Sequence, residues 1–389
     1  MYKILKLNEI APIINNYLPA DKYTIGKDIA SPDAILIRSA DMHEFKFEDN
    51  LLAIARAGAG INNIPVDKCS ELGIAVFNTP GANANSVKEL LICSMIVMSR
   101  NLVPAVVWTG TLKNGSEPVA KLVEKGKKQF VGPELKGKTL GVIGLGAIGN
   151  MVANDAHALG MEVLGYDPYI TVENAWRLSR GVRRCTSLDQ LYTESDYITI
   201  HIPLMESTRG YLDKAAFDKM KKGVRILNFA RSELVNIPDL IAALESGHVA
   251  GYATDFPTEE LIGRENVLAI PHLGASTPEA EDNCAAMAAQ QLADYLETGT
   301  IKNSVNFPDC ELPHTGKYRL TVFHLNIANM VSQITNALAG AGINISGMIN
   351  KSKDMYAYTV IDLDEEPDEK ILKKISEIES VIRVRPVNI

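Results

Sequence analysis

The sequence predicts an α/β protein made of two successive strand–helix series and a small C-terminal βαββαβ module. Three observations predict it. Short apolar runs alternate with helix-like segments through most of the chain. A glycine-rich stretch, VIGLGAIGN (Val142–Asn150), joins a strand to a helix in the second series. From about Lys317 the pattern changes to strand, helix, strand, strand, helix, strand.

In the first series KILKL, AILIR, LLAIARAG and GIAVFN are strand candidates bounded by Pro, Gly, Asn or Asp, as in a parallel sheet. A long helical pattern follows over residues 86–102, and the polar stretch TGTLKNGSEP reads as a loop or crossover. The second series supplies TLGVIG, MEVLGYD, YITIHIP, VRILNFA, VAGYATD and NVLAIP, the six strands of a doubly wound dinucleotide fold. A helix over 278–298 comes next. The tail then supplies YRLTVFHL, NISGMI, MYAYTVIDL and VIRVRPV. Its first helix places Val331, Ile334, Leu338 and Ala341 on one face. The tail has no dense cluster of His, Cys and carboxylates, so it is read as a ferredoxin-like accessory module.

With 389 residues the chain has room for two or three cored domains. The net charge of −8 argues against nucleic acid or an anionic membrane as the main partner, but not against a small anionic substrate. The five cysteines are scattered, without a C-x-x-C pair, and read as reduced thiols of a cytoplasmic protein. MYKILKLNEI lacks the apolar core of a signal peptide. The apolar run Leu90 to Met98 is far shorter than the ~20 residues of a membrane helix and reads as a buried helix. No ligand cluster calls for a metal.

The glycines Gly144, Gly146 and Gly149 follow an apolar strand and open a helix. In that context they permit a tight turn, close approach of a pyrophosphate, and helix–strand packing. The helix start then offers N–H groups to phosphate. Asp167, 18 residues after Gly149, ends the next strand. A carboxylate there accepts from ribose hydroxyls and repels a 2′-phosphate, so NAD is expected rather than NADP.

Three stretches carry candidate chemistry: NFARSELVN with Arg231, TDFPTEE with Asp255, Glu259 and Glu260, and PHLGAST with His272. Each follows a strand of the second series. Oxidation of an alcohol carbon needs a base, and a histidine suits that role in both directions. A carboxylate beside it fixes the tautomer, and an arginine grips a substrate carboxylate in a two-point fork. Taken singly, each has an ordinary alternative: a surface ion pair, a loop histidine, a solvated acidic turn.

Together with RAGAGINNI, FNTPGANANSVKELL, ELKGKTLGVIGLGAIG, YDP, HIPLMESTRG and KKGVRILNFAR, these pieces resemble, in family order, the D-isomer-specific 2-hydroxyacid dehydrogenases. The resemblance implies a Rossmann-type NAD-binding domain (93–277) inserted in a discontinuous, flavodoxin-like substrate domain (1–92 and 278–307), with a C-terminal ferredoxin-like, ACT-like regulatory domain (317–389). It implies a substrate cleft closed by hinge motion near 86–100 and 278–295. Arg231 matches the substrate-binding arginine, Glu259 the acid partner and His272 the proton-transfer histidine. Gly144, Gly146, Ala147, Ile148, Gly149, Asp167, His201, Pro203, Ala230 and Asp255 match cofactor positions, Asp255 toward the nicotinamide carboxamide. Ala59 and Gly60 match N–H donors to the substrate carboxylate, and Arg38 a cation for a substrate phosphate. The implied reaction is NAD-dependent oxidation of D-3-phosphoglycerate.

Departures exist. Ser232 and Glu233 follow Arg231 where small residues are usual. TDFPTEE is one residue short, which keeps Glu260 as a competitor to Glu259. Lys88 stands where a small residue is common and reads either as a further cation near the cleft or, as the preferred reading, as a solvated side chain. In the tail, His324, Asn326 and Asn344 match positions that bind L-serine between paired modules, but Ala328-Asn329 replaces the usual Pro-Gly. The family and the tail imply a homodimer or homotetramer. The alternatives are another 2-hydroxy or 2-oxo acid (hydroxypyruvate, glyoxylate, lactate) as substrate, or a non-catalytic NAD-sensing protein. Reduction of 2-oxoglutarate is left open.

Overall fold

The apolar runs near the start of the chain pair as a five-stranded parallel sheet. In the computed structural model, which describes residues 1–114 and 117–387, these are β1 (Tyr2–Lys6), β2 (Tyr23–Gly26), β3 (Ala34–Ile37), β4 (Ala53–Arg56) and β5 (Ala75–Phe77). Their order, β2-β1-β3-β4-β5, is flavodoxin-like. The AILI of β3 is buried at every position, as a strand covered on both faces must be. β2 adds to the strands expected from sequence; its short YTIG lies at the sheet edge.

The second series forms a seven-stranded parallel sheet: β6 (Thr139–Ile143), β7 (Glu162–Tyr166), β8 (Val182–Arg184), β9 (Tyr197–Ile200), β10 (Val224–Asn228), β11 (Val249–Thr254) and β12 (Val267–Ala269). The order is β12-β11-β10-β9-β6-β7-β8. The chain reverses direction across the sheet between β6 and β9, which makes that junction the ligand-binding switch point of a doubly wound fold. β8 is the strand beyond the six expected; VRR is a polar edge strand with no apolar signal.

The long helix runs Ala84–Ser99 and buries Val87, Leu91 and Met95. Asn101, left-handed at φ 50°, then turns the chain into a second helix, Leu102–Thr111, bent 61° from the first. The stretch expected to be loop therefore begins as helix and passes into a 3-10 turn, Leu112–Asn114; Gly115 and Ser116 lie outside the described residues. Among the described residues no single helix is long and apolar enough to cross a membrane, although this bent pair is so by length and composition. The five cysteines are free, and only Cys93 is exposed.

The tail forms an antiparallel sheet of β13 (Tyr318–Leu325), β14 (Ile345–Lys353), β15 (Tyr356–Leu363) and β16 (Val381–Val387), in the ferredoxin-like order β14-β15-β13-β16. One face, with Leu320, Val322, Ile361 and Leu363, packs on the helices Met330–Ala339 and Glu369–Ser376. The first helix buries Met330, Ile334, Ala337 and Leu338; Ala341 lies beyond its end and is exposed, which corrects the expected face.

The chain divides into two compact units: residues 1–83 with the chain from 281 onward, and residues 84–280. In the first, the other face of the tail sheet joins the core of the N-terminal sheet. Phe323, Tyr358 and Val360 pack with Phe77, Tyr295, Leu296 and Phe307. Side chains of that face also serve the end of the helix Pro278–Thr298, whose last carbonyls lack helical partners. Arg319 donates to Thr298 O (2.9 Å), Tyr358 to Gly299 O (2.7 Å), and Arg385 to Tyr295 O (3.1 Å) and Leu296 O. Two guanidinium groups at a helix C-terminus also complement its dipole.

Candidate active site

The glycine motif lies where β6 meets the helix Ala147–Ala158. Gly144 has φ +88°, a conformation that side chains avoid, and a Cβ there would stand 2.7 Å from His201 O. A Cβ on Gly149 would stand 2.0 Å from Gly144 O. By contrast, a Cβ on Gly146 would meet nothing within 4 Å. Two glycines thus let the backbone close on itself, and the middle one leaves open space at a helix start, where N–H groups point at an anion. Asp167 is tied to this turn: Oδ2 accepts from Leu145 N (2.8 Å) and Oδ1 from Tyr169 N (2.8 Å). Each oxygen retains a lone pair for a ribose hydroxyl. The residues present fit a dinucleotide. Gly149→Ala is expected to weaken NAD binding by at least about tenfold in a fluorescence titration, because a methyl cannot share space with a backbone carbonyl.

His201 ends β9 across the switch point. Its Nε2 pairs with Thr199 Oγ1 (3.0 Å), and its Nδ1 is buried without a partner. Burial pushes the imidazole down to about 3, so it is neutral at physiological pH. Pro203 is exposed, and Ala230 donates its N–H to Asn228 Oδ1 (3.1 Å).

The chemistry residues follow β10, β11 and β12. Arg231 is exposed; Nη1 donates to Ala230 O (2.6 Å), and Asn228 Nδ2 holds Arg231 O (2.7 Å). Its guanidinium carbon lies 5.5 Å from the centroid of the Phe256 ring. The His272 ring lies 4.7 Å from the same ring. Phe256 is therefore a common platform for the two polar groups. Sequence reasoning missed it, since Phe256 is one apolar residue in a turn and its partners are distant in sequence.

His272 is left-handed at φ 54°, a strained conformation for this residue. What holds it is Asp255. The buried carboxylate accepts from Leu273 N and Gly274 N, both at 2.7 Å. Burial pushes the Asp255 carboxyl above its ordinary value, while the two N–H groups and neighbouring His272 pull it back. Asp255, expected to hold a carboxamide, first clamps the histidine loop.

Glu259 is the main departure. It is exposed, and no hydrogen bond or ion pair joins it to His272 or any other side chain among the described residues. The short loop turns at once, with Leu261 N and Ile262 N donating to Thr258 O, and this leaves Glu259 outside. Glu260 is exposed as well; its carboxyl is held below the ordinary range, first by its own backbone N–H. Glu233 accepts from Ser232 Oγ (2.8 Å) and is likewise held low, by its own N–H and Ser232, then by Arg209 and Arg231. Lys88 is an ion-pair partner of Asp155 (2.7 Å) with a side chain only 13% exposed, rather than a solvated residue.

In the first unit, Arg38 follows β3, and its guanidinium pairs with Glu281 (2.8 Å). Both side chains are more than a third exposed, so the pair is weak and can yield to a stronger anion. Ala59 and Gly60 form a turn after β4. Asn78 Nδ2 holds Ala59 O (2.7 Å) and Arg56 Nη1 holds Gly60 O (2.8 Å). Among the described residues nothing accepts from the N–H groups of Ala59 and Gly60, which leaves two backbone donors for an anion.

In the tail, His324 is buried, with Nδ1 against Leu325 O (2.8 Å) and Nε2 against Thr359 Oγ1 (2.9 Å); burial pushes its pKa down. Asn326 donates to Asp354 O (3.3 Å) and Asn344 to Asp364 Oδ2 (2.6 Å). His324 pairs with Ala357 at one end of β15, and Ile345, beside Asn344, pairs with Leu363 at the other. At ~3.4 Å per residue they stand roughly 20 Å apart, so one copy of the chain does not bring them together on one small ligand.

Comparison with known proteins matches residues 94–274 to the D-isomer specific 2-hydroxyacid dehydrogenase, NAD binding domain, family model. A D-3-phosphoglycerate dehydrogenase of Rattus norvegicus is 36% identical over 302 residues, 75% of this chain and 53% of that protein. One of Dictyostelium discoideum is 33% identical over 86% of this chain and 81% of that protein. The chain spans about half the length of several of the curated relatives it matches, including the rat protein. A crystal structure of NAD+-bound 3-phosphoglycerate dehydrogenase from Entamoeba histolytica superposes with a TM-score of 0.61 at 30% identity, covering 78% of this chain and 98% of that one.

Proposed function

The chain belongs to the D-isomer specific 2-hydroxyacid dehydrogenases, and we propose that within this family it oxidises D-3-phosphoglycerate to 3-phosphohydroxypyruvate with NAD, the reaction that opens serine synthesis. The observation that carries the reading is the histidine loop: His272, held in a strained conformation by Asp255, shares the Phe256 platform with Arg231. Bound NAD supplies the hydride acceptor. Asp167 and the Gly144–Gly149 turn would hold it, with neutral His201, Pro203 and Ala230 beside them. Imidazole Nε2 or Nδ1 of His272 takes the hydroxyl proton as the carbonyl forms. Arg231 binds the carboxylate and polarises the nascent carbonyl. The free N–H groups of Ala59 and Gly60 take the carboxylate, and Arg38 leaves Glu281 for the phosphate. Glu259 serves as acid partner only by turning its side chain in from solvent.

A second reading, another 2-hydroxy acid as substrate, is favoured by the existing Arg38–Glu281 pair, which satisfies the cation without a phosphate. The test is nicotinamide absorbance over time with purified protein, NAD and D-3-phosphoglycerate, with the product trapped. Turnover supports the reading; no turnover, with NADH-dependent reduction of hydroxypyruvate or glyoxylate instead, overturns it. Asp167→Asn is expected to weaken NAD binding by about tenfold or more, since hydrogen bonds to a charged acceptor contribute about 1.5–3 kcal/mol. Unchanged affinity removes its ribose role.

Assembly as a homo-oligomer is part of the proposal. Val103, Val106 and Val107 on the helix Leu102–Thr111 are 50–70% exposed, an apolar stripe suited to a second copy. Serine regulation through His324, Asn326 and Asn344 requires two copies, because His324 on β13 and Asn344 before β14 lie beside opposite ends of β15.

A further inference from the structure

We propose that a cavity of about 500 Å³ in the first unit is a site for a small zwitterionic α-amino acid, coupled to the Ala59–Gly60 turn through Asn78. Its lining includes Asn78 after β5, Asn303, Phe307 and Asp309 from the connection after the helix Pro278–Thr298, and Lys353 at the end of β14. Lys353 Nζ donates to Ser304 O (3.2 Å) and Val305 O (2.9 Å), which leaves one of its three donors. Asp309 accepts from Asn303 N through Oδ1 (2.7 Å), and among the described residues its other oxygen, open to solvent, has no hydrogen-bond partner. The two opposite charges line one cavity yet form no ion pair with each other among the described residues. A carboxylate at Lys353 and an ammonium at Asp309 would satisfy both. Phe307 is fully buried behind that lining, packed on Phe323, and fixes the wall of the cavity.

Asn78 carries the coupling. Its Nδ2 holds Ala59 O, and that carbonyl shares a planar peptide unit with the N–H of Gly60. A ligand that draws the Asn78 amide away frees the peptide to rotate and turns the Gly60 N–H aside. The coupling rests on the reading that Gly60 binds the substrate carboxylate; the site itself does not.

The test titrates the full chain with L-alanine by calorimetry and follows turnover alongside. Wild type is expected to bind, with KM for phosphoglycerate raised about fivefold at constant kcat, the low end of allosteric coupling. Asp309→Asn, an exposed and nearly isosteric change, and Lys353→Met are expected to weaken binding at least about tenfold and abolish the KM shift, while Asn344→Ala keeps both. Failure of wild type to bind L-alanine, or undiminished binding by Asp309→Asn, overturns the site. Binding without a KM shift overturns the coupling. If turnover is absent without alanine, the reaction reading has failed, and the calorimetry still decides the site.

Discussion

His272→Ala is expected to lower kcat by roughly 10²- to 10⁴-fold, the range that positioned proton transfer supplies, with NAD affinity unchanged. The imidazole follows β12 and forms no hydrogen bond with the Gly144–Gly149 turn among the described residues, so its loss leaves that turn's cofactor contacts alone. One competing explanation needs a control. His272 is left-handed at φ 54°, and alanine tolerates that conformation poorly, so a loss could reflect a collapsed loop. Asparagine adopts left-handed backbone more readily and cannot act as a base near neutrality. His272→Asn should therefore lose turnover as fully as His272→Ala. Should His272→Asn keep near-normal turnover while His272→Ala does not, backbone geometry was what mattered, and the proton-transfer role falls.

The same loop marks how far the sequence could be read. PHLGAST and TDFPTEE named the residues, because the residue types that this chemistry needs follow predicted strands. Local spacing also placed the glycine turn and Asp167, since a strand, a turn and a helix start are all contiguous. Phe256 was hidden because its role exists only where Arg231 and His272 converge on it from separate strand ends. Glu259 shows what order alone leaves open: in a loop one residue short, a carboxylate that matches by order faces solvent. Arg38 shows the same limit, its partner Glu281 lying at the start of a helix far along the chain. For the fold, every run read as a strand became one, and the apolar run Leu90 to Met98 became helix. The two strands that escaped, β2 and β8, are short and sit at sheet edges, where one neighbour suffices and continuous apolar sequence is not required. Nothing local predicted that the open face of the tail sheet would join the N-terminal core, because that contact depends on which carbonyls the helix Pro278–Thr298 leaves unpaired.

That junction gives the largest expected stability effect. Arg319 and Asp362 are essentially fully buried and paired through Nε–Oδ1 (2.7 Å) and Nη2–Oδ2 (3.0 Å). Asp362 also accepts from Thr315 N (2.9 Å) and Oγ1 (3.2 Å), and Arg319 also holds Thr298 O and Leu312 O. Asp362→Ala leaves a guanidinium buried without its counter-charge and is expected to cost about 3–5 kcal/mol. Arg319→Met/Asp362→Leu should recover part of this, but not all, since the carbonyls of Thr298 and Leu312 lose their donor. Both tryptophans, Trp108 and Trp176, lie in the unit of residues 84–280, so their fluorescence reports that unit, whereas circular dichroism reports both. In a urea titration of Asp362→Ala, ellipticity is therefore expected to fall at lower denaturant than tryptophan emission; unaltered midpoints by both probes would falsify the account. The pH dependence follows from the same pair. Burial alone would raise the Asp362 carboxyl, but the Arg319 and Thr315 hydrogen bonds hold it below its ordinary value of 3.8. A group whose folded pKa is depressed contributes stability above its unfolded pKa and loses it as pH falls through the folded one. Wild type should thus lose this contribution only below about pH 4, and Asp362→Ala, already lacking it, should show a shallower acid limb.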